Sequence, residues 1–192
     1  MNAEPTRRDA TRNRKRIVDV ARGLVDDGSA VQLNEVARLA GVGVATVYRN
    51  FPSVEALIEE LATPSLESLI GHAKRALDNE DPWQSLADFL GHTIEAQVNN
   101  PALSTVNAAL VNVLPRTVEL KATLGPLAGQ LLDRARRSRA VRSDLTSEDV
   151  IPLMCGIAFA VTAHDVHRRA DRDSRVRTAH RYLTMLLTGL RA

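Results

Sequence analysis

Cysteine occurs once in the 192 residues, at Cys155, so an internal disulfide is excluded. Aromatic residues are only 3% of the chain, which leaves the interior to Leu, Val, Ala and Ile. Lysine is scarce: Lys15, Lys74 and Lys121 are the only three among 25 basic residues. With alanine abundant, that bias fits a GC-rich genome and carries little functional weight. No apolar run approaches the roughly 18 residues of a membrane span. The opening MNAEPTRRDATRNRKR has no apolar block of the kind a secretion signal needs. Strand-type alternation, internal repeats and low-complexity segments are missing as well. These absences lead to the expectation of a cytoplasmic protein without a membrane partner.

What is there looks globular. Apolar residues make up 44% and charged residues 25%, and the length suits one compact domain or two small ones. A net charge of +2 names no partner, so its distribution matters more. Residues 1–16 carry Arg7, Arg8, Arg12, Arg14, Lys15 and Arg16 against Glu4 and Asp9. A second basic run, Arg134 to Arg142, reads as a solvated helix end that suits the helix dipole.

Helical periodicity dominates the chain. Ile17, Ala21, Leu24 and Val25 share a face, as do Leu33, Val36, Ala37 and Ala40. Ser53 is placed as an N-cap before Leu57, Ile58 and Leu61, and Pro64 is expected to end or kink that helix. Asp78–Pro82 marks the clearest break. Beyond it, Leu86, Leu90, Ile94 and Val98 form one stripe, and Leu120, Leu124, Leu127 and Leu131 another, with Gly125-Pro126 as a bend. Thr146-Ser147-Glu148-Asp149 reads as a capping box before a penultimate helix, and Val176 to Leu190 make the last. The expected fold is all-α, with about nine helices.

The segment GVGVATVYRNFP, residues 41–52, carries the functional signal. Gly41 supplies a turn with positive φ after the helix Leu33–Ala40, and a second short helix runs on to Phe51. Ala37 is small where the two helices must cross, while Val47 and Phe51, four residues apart, point inward. Gly43, Val44, Ala45, Thr46, Tyr48, Arg49 and Asn50 are then left for the outer face or its edges. Such a helix fits a DNA major groove. Gly43 permits close approach, Val44, Ala45 and the Thr46 methyl suit thymine methyls, and Tyr48, Arg49 and Asn50 suit phosphate oxygens. Arg12 and Arg16, at the start of the first helix, add charge beside a neighbouring phosphate.

From about Arg12 to Leu61, through VDVARGLVDDGSAVQLNEVARLAGVGVATVYRNFPSVEALIEEL, the chain resembles the DNA-binding domain of TetR-family transcriptional regulators. VRSDLTSEDV, before the penultimate helix, resembles another family feature. The resemblance implies a basic arm over 1–11, a three-helix helix-turn-helix domain over 12–63, and an effector-binding and dimerisation bundle over 64–192. It further implies a homodimer on a palindromic double-stranded operator, released by a small-molecule effector and joined through the last two helices. Three positions depart from the family pattern. Val54 stands where a phosphate-contacting lysine is frequent, Gln32 where a Thr or Ser helps start the second helix, and Asn50 where histidine is frequent.

Other polar features read more plainly. His164 and His167 sit three apart beside Asp165, yet no third strong ligand accompanies them, so they read as a solvent-facing turn. Cys155, next to Met154 on an apolar helix, reads as a structural thiol. Trp83, Phe89, His92, Met154 and Phe159 are candidates for lining a ligand cavity, although core packing explains each almost as well. No metal and no cofactor are expected. An enzyme would need a nucleophile–base pair, a metal cluster or a phosphate-cradling loop, and GVGVAT follows a helix rather than a strand. An adaptor bundle without DNA affinity remains the plainer alternative.

Overall fold

The computed structural model of the protein describes residues 7–165 and 171–191. Residues 1–6 of the expected arm, and His167, lie outside the described residues. Within them the chain is all α, in nine helices: α1 (Arg7–Asp26), α2 (Leu33–Ala40), α3 (Val44–Asn50), α4 (Val54–Leu77), α5 (Pro82–Asn99), α6 (Pro101–Ala108), α7 (Pro115–Arg137), α8 (Ser147–Asp165) and α9 (Arg172–Leu190). None of the described helices is long and apolar enough to cross a membrane.

The helix starts follow local chemistry. Ser53 accepts the Ala56 amide and starts α4. Asp81 accepts the amides of Trp83 and Gln84, and Pro82 takes the first helical position of α5, where its missing N–H is harmless. At α8 the Asp149 carboxylate reaches back to the Thr146 amide at 2.8 Å, and the Thr146 hydroxyl donates to the same carboxylate. Gln32, by contrast, makes no side-chain cap on α2.

One expectation about boundaries needs correction and a second is narrowed to one of its alternatives. Helix α1 begins at Arg7, so residues 7–11 are helical rather than part of a loose arm. Asp9 sits in its first turn, where the helix dipole favours an anion, and pairs with Arg12 at 2.8 Å. Pro64 does not end its helix: α4 runs through it from Val54 to Leu77. The proline forfeits one helical hydrogen bond, to the Glu60 carbonyl, and beside it the Asn100 amide donates to Leu61 O and to Ser65 Oγ, each at 2.9 Å, tying this stretch of α4 to the end of α5.

Helix α4 therefore crosses the division placed at residues 63 and 64, and the cores confirm that the two halves interlock. The first core joins Ile17, Val36, Val47, Phe51, Leu57 and Leu61 to Leu103 and Val106 of α6 and Leu120 of α7. The second lies among α5, α7, α8 and α9, around Leu90, Ile94, Leu131, Met154 and Leu183. Arg134, expected to be solvated, instead donates to Leu77 O and Asn79 O and so closes the end of α4.

Candidate functional site

The α2–α3 pair is built around a left-handed turn. Gly41 has φ 61° and ψ 41°, and the Val42 amide donates back to Ala37 O at 3.1 Å. A Cβ on Gly41 would stand 3.0 Å from Arg16 Nη2, which places the α1 guanidinium over the turn. Gly41→Ala is expected to lower stability by about 1–2 kcal/mol through backbone strain alone, since the arginine tip can move aside. Chemical denaturation checks this, and an unchanged midpoint would count against the strain.

Helix α3 has two unlike faces. Val47 is fully buried and Phe51, just past the helix end, is 1% exposed. Val44 and Tyr48 are 45% and 48% exposed, unusual for such side chains, and Gly43, Ala45 and Arg49 are exposed with them. Thr46 and Asn50 lie at the edges, half-buried. Arg49 touches only the Thr46 hydroxyl among its hydrogen-bonding neighbours, at 3.2 Å. Asn50 donates to Thr46 O at 2.8 Å, which commits one of its donors within the helix.

The basic residues of α1 divide between tasks. Arg14 lies 4.5 Å from the Phe51 ring centroid and pairs with Glu60 at 2.9 Å, bolting α1 to the end of α3 and to α4. Arg12 and Arg16 are exposed. Arg12 shares its charge with Asp9, a surface pair that contributes little to stability and is readily given up.

The second concavity lies in the C-terminal bundle. It is a cavity of about 90 Å³ between α4, α5, α6, α7 and α8. Its wall is mostly apolar, with Phe89, Leu124 and Met154, but Gln97, Asn107 and Lys121 also face it. Gln97 is 2% exposed and neither of its amide atoms makes a hydrogen bond of good geometry; the nearest claim on it is the Cys155 thiol. Leaving such a group unpaired costs about 1–3 kcal/mol. Burial pushes the Lys121 ammonium below the ordinary lysine range, against smaller opposite pulls from Glu59 and Cys155. The half-buried Cys155 thiol is pushed up by burial, with Gln97 and then Lys121 pulling the other way.

Comparison with known proteins decides the family. Residues 17–61 match the bacterial regulatory proteins of the tetR family, and residues 81–192 match the C-terminal domain of SbtR-like transcriptional regulators. The chain belongs to the TetR family. An HTH-type transcriptional regulator of Staphylococcus aureus (strain USA300) is 28% identical over 100 residues, 50% of this chain and 54% of the relative. The match thus spans about half the length of the curated relatives. A TetR transcriptional regulator from Streptomyces coelicolor is 26% identical, with a TM-score of 0.53 over 93% of this chain and 98% of its own. The fold is also that of the regulator FadR from Bacillus subtilis, solved with stearoyl-CoA, at a TM-score of 0.63 and 15% identity over 92% and 98% of the two chains.

Membership of the TetR family makes this a DNA-binding transcriptional regulator and not an enzyme. Of the residues singled out for a ligand, Phe89 and Met154 line the cavity. The other three lie elsewhere. Trp83 carries the Arg191 guanidinium 4.7 Å over its ring, and Phe159 is 74% exposed. His92 stacks on His72 with ring centroids 3.8 Å apart, and burial, then His92 and Arg75, push His72 below the usual histidine range. His164 meets the Tyr182 ring edge-on at 6.3 Å. Among the described residues no group of three or more His, Cys, Asp or Glu is placed to hold a metal.

Sequence reasoning passed over the polar side of the cavity. A signal was available for Gln97, which follows Phe89 and Thr93 at four-residue steps and so shares their helix face. It missed Glu59 too, a carboxylate 3% exposed. That residue lies three positions from Ala56 and three from Ala62, both fully buried, and so falls on the inner stripe of α4.

Proposed function

We propose that the protein is a cytoplasmic, ligand-responsive repressor that binds a palindromic operator as a homodimer and is released by a small-molecule effector. The observation that carries this reading is the two-faced α3. Val47 and Phe51 anchor it from within, while Val44, Thr46, Tyr48 and Arg49 stand on or beside the outer side. An exposed tyrosine and valine on a seven-residue helix have no packing role here, and a major groove accommodates both.

Dimerisation is supported by the last two helices. Ile151 and Phe159 on α8 and Met185 on α9 are 47%, 74% and 62% exposed, an apolar surface that a second copy of α8 and α9 would cover. Release is supported by the bundle cavity, whose wall includes Leu69 of α4, the helix that also packs against the DNA-binding head. FadR, of the same fold, is a regulator solved with a small-molecule ligand.

Footprinting of the purified protein on DNA upstream of its own gene tests the reading; absence of a protected palindrome sinks it. Within that assay, Arg49→Ala is expected to weaken binding to all sequences alike. It should also reduce the slope of log K against log salt by about one unit, because a phosphate contact releases a counterion and reads no base. An unchanged slope in a gel-shift titration would remove Arg49 from the phosphate contacts.

A further inference from the structure

The bundle cavity is not neutral toward its ligand. Three polar side chains, Gln97 from α5, Asn107 from α6 and Lys121 from α7, reach one apolar space from three different helices. Gln97 is inside the protein, its amide without a hydrogen bond of good geometry and acting only on the neighbouring Cys155 thiol. Lys121 donates to Val106 O at 3.1 Å and makes no ion pair among the described residues. A half-buried ammonium with no ion pair in contact, drawn on only from farther off by the Glu59 carboxylate and the Cys155 thiol, beside a buried amide whose one polar influence is that same thiol, is an under-satisfied polar arrangement. An apolar effector would complete neither group, and a neutral hydroxyl would leave the ammonium without an ion pair in contact.

We infer that the effector is a small organic acid, its carboxylate taken by Lys121 Nζ and Gln97 Nε2 and its apolar body laid against Phe89, Leu124 and Met154. The inference rests on the reading of this bundle as an effector domain and adds the chemical class. Charge-assisted hydrogen bonds of this kind are about twice as strong as neutral ones, so the acid head supplies the discrimination. Asn107 adds a donor from α6, whose Val106 carbonyl holds Lys121 and whose Val106 side chain is in the core of the DNA-binding head. An anion on Lys121 therefore bears on a group already bonded to the helix that packs beneath the head, two further donors of the ammonium being free for it.

Size limits the body of the acid. The cavity holds about 90 Å³, against the 300–1,000 Å³ of most ligand pockets. Short aliphatic acids fit the space as it stands, and a single-ring acid needs the wall to yield, since benzene alone takes a cavity of about 150 Å³. The wall can also give way: Gly125 lines it, and Pro126, inside α7, has no N–H to hold the preceding turn.

Calorimetry and thermal melting of the full chain, without DNA, test the class. The probes are butyrate and benzoate, each against its neutral isostere, butyramide and benzamide. The acids are expected to bind and raise the melting temperature as their concentration rises, and the amides to bind at least about tenfold more weakly. Lys121→Met should erase that preference, Lys121→Arg should retain it, and Gln97→Leu should weaken the acids severalfold. Should Lys121→Met fold poorly, Lys121→Arg and Gln97→Leu still decide the matter. Equal binding of acids and amides, or no acid binding up to about 10 mM, overturns the inference. A gel shift run in parallel separates the two levels. Operator binding released by neutral compounds alone would keep the effector reading and overturn the acid. Acid binding that leaves an operator complex intact would uphold the acid site and overturn its role in release.

Discussion

Phe51→Ala is expected to destabilise the protein by about 3–5 kcal/mol and to abolish operator binding with it. The ring is 1% exposed and is among the largest side chains fully enclosed in the core. It stands where α3 ends, with backbone φ −139°, and its amide donates to Val47 O at 2.8 Å. Truncation leaves a cavity between α1, α3 and α4 that a seven-residue helix has no means of closing. It also strips Arg14 of the ring over which its guanidinium lies. For a chain of this length the loss corresponds to a fall in melting temperature of roughly 6–20 °C. Phe51→Leu separates the two contributions. It keeps most of the volume and loses only the aromatic face, worth about 0.5–2 kcal/mol in contacts of this kind. Calorimetry with both variants reads the difference. A Phe51→Ala protein melting within a degree or two of the parent would show that α3 is held by something other than this anchor.

That anchor was legible before any coordinates, and the reason is physical. Inside a helix-turn-helix a few positions are over-determined: Gly41 by its positive φ, Ala37 by close crossing, Val47 and Phe51 by a four-residue step. Each leaves a mark in residue type, so the head could be read from one short segment. Helix existence elsewhere was legible for a similar reason, since apolar stripes and capping residues are local. Pro64 was harder to read, because a proline that kinks and a proline that ends a helix look alike in one dimension. The contact that braces this stretch comes from Asn100, a residue 39 positions from the Leu61 carbonyl to which it donates.

The bundle cavity was least legible of all. Its walls come from five helices, and nothing local tells an aromatic that lines a cavity from one that packs or projects. Trp83, Phe89, His92 and Phe159 are the same kind of signal in sequence, yet only Phe89 of the four faces the space. The informative residues were the polar ones. Gln97 is marked in sequence by standing in an apolar stripe, whereas Lys121 carries no such mark and is placed at the cavity by the fold alone.

Glu59→Ala is expected to cost about 2–4 kcal/mol, a large effect for removing one carboxylate from a helix. Glu59 is 3% exposed and lies on α4, one turn before Thr63. Its Oε1 accepts the Val113 amide at 2.7 Å and Asn112 Nδ2 at 3.4 Å, while Oε2 accepts the Leu114 amide at 2.9 Å. Leu114 is the N-cap residue of α7 and Pro115 its first helical residue. The carboxylate thus does from another helix what a capping side chain does locally, and it meets the positive end of the α7 dipole. Alanine leaves two amides without acceptors in a segment flanked by Leu110 and Val111, which are themselves exposed and contribute no packing. Glu59→Gln keeps one acceptor oxygen and should recover roughly half the loss, since charge-assisted bonds are about twice as strong as neutral ones. Hydrogen exchange at Val113 and Leu114 provides the second measurement. Both amides should exchange much faster in Glu59→Ala while α3 amides change no more than global stability requires. If the alanine variant keeps the parent's urea midpoint and its loop protection, the α4–α7 junction is held by the Leu66, Leu69 and Leu120 core alone, and Glu59 is only a passenger in it.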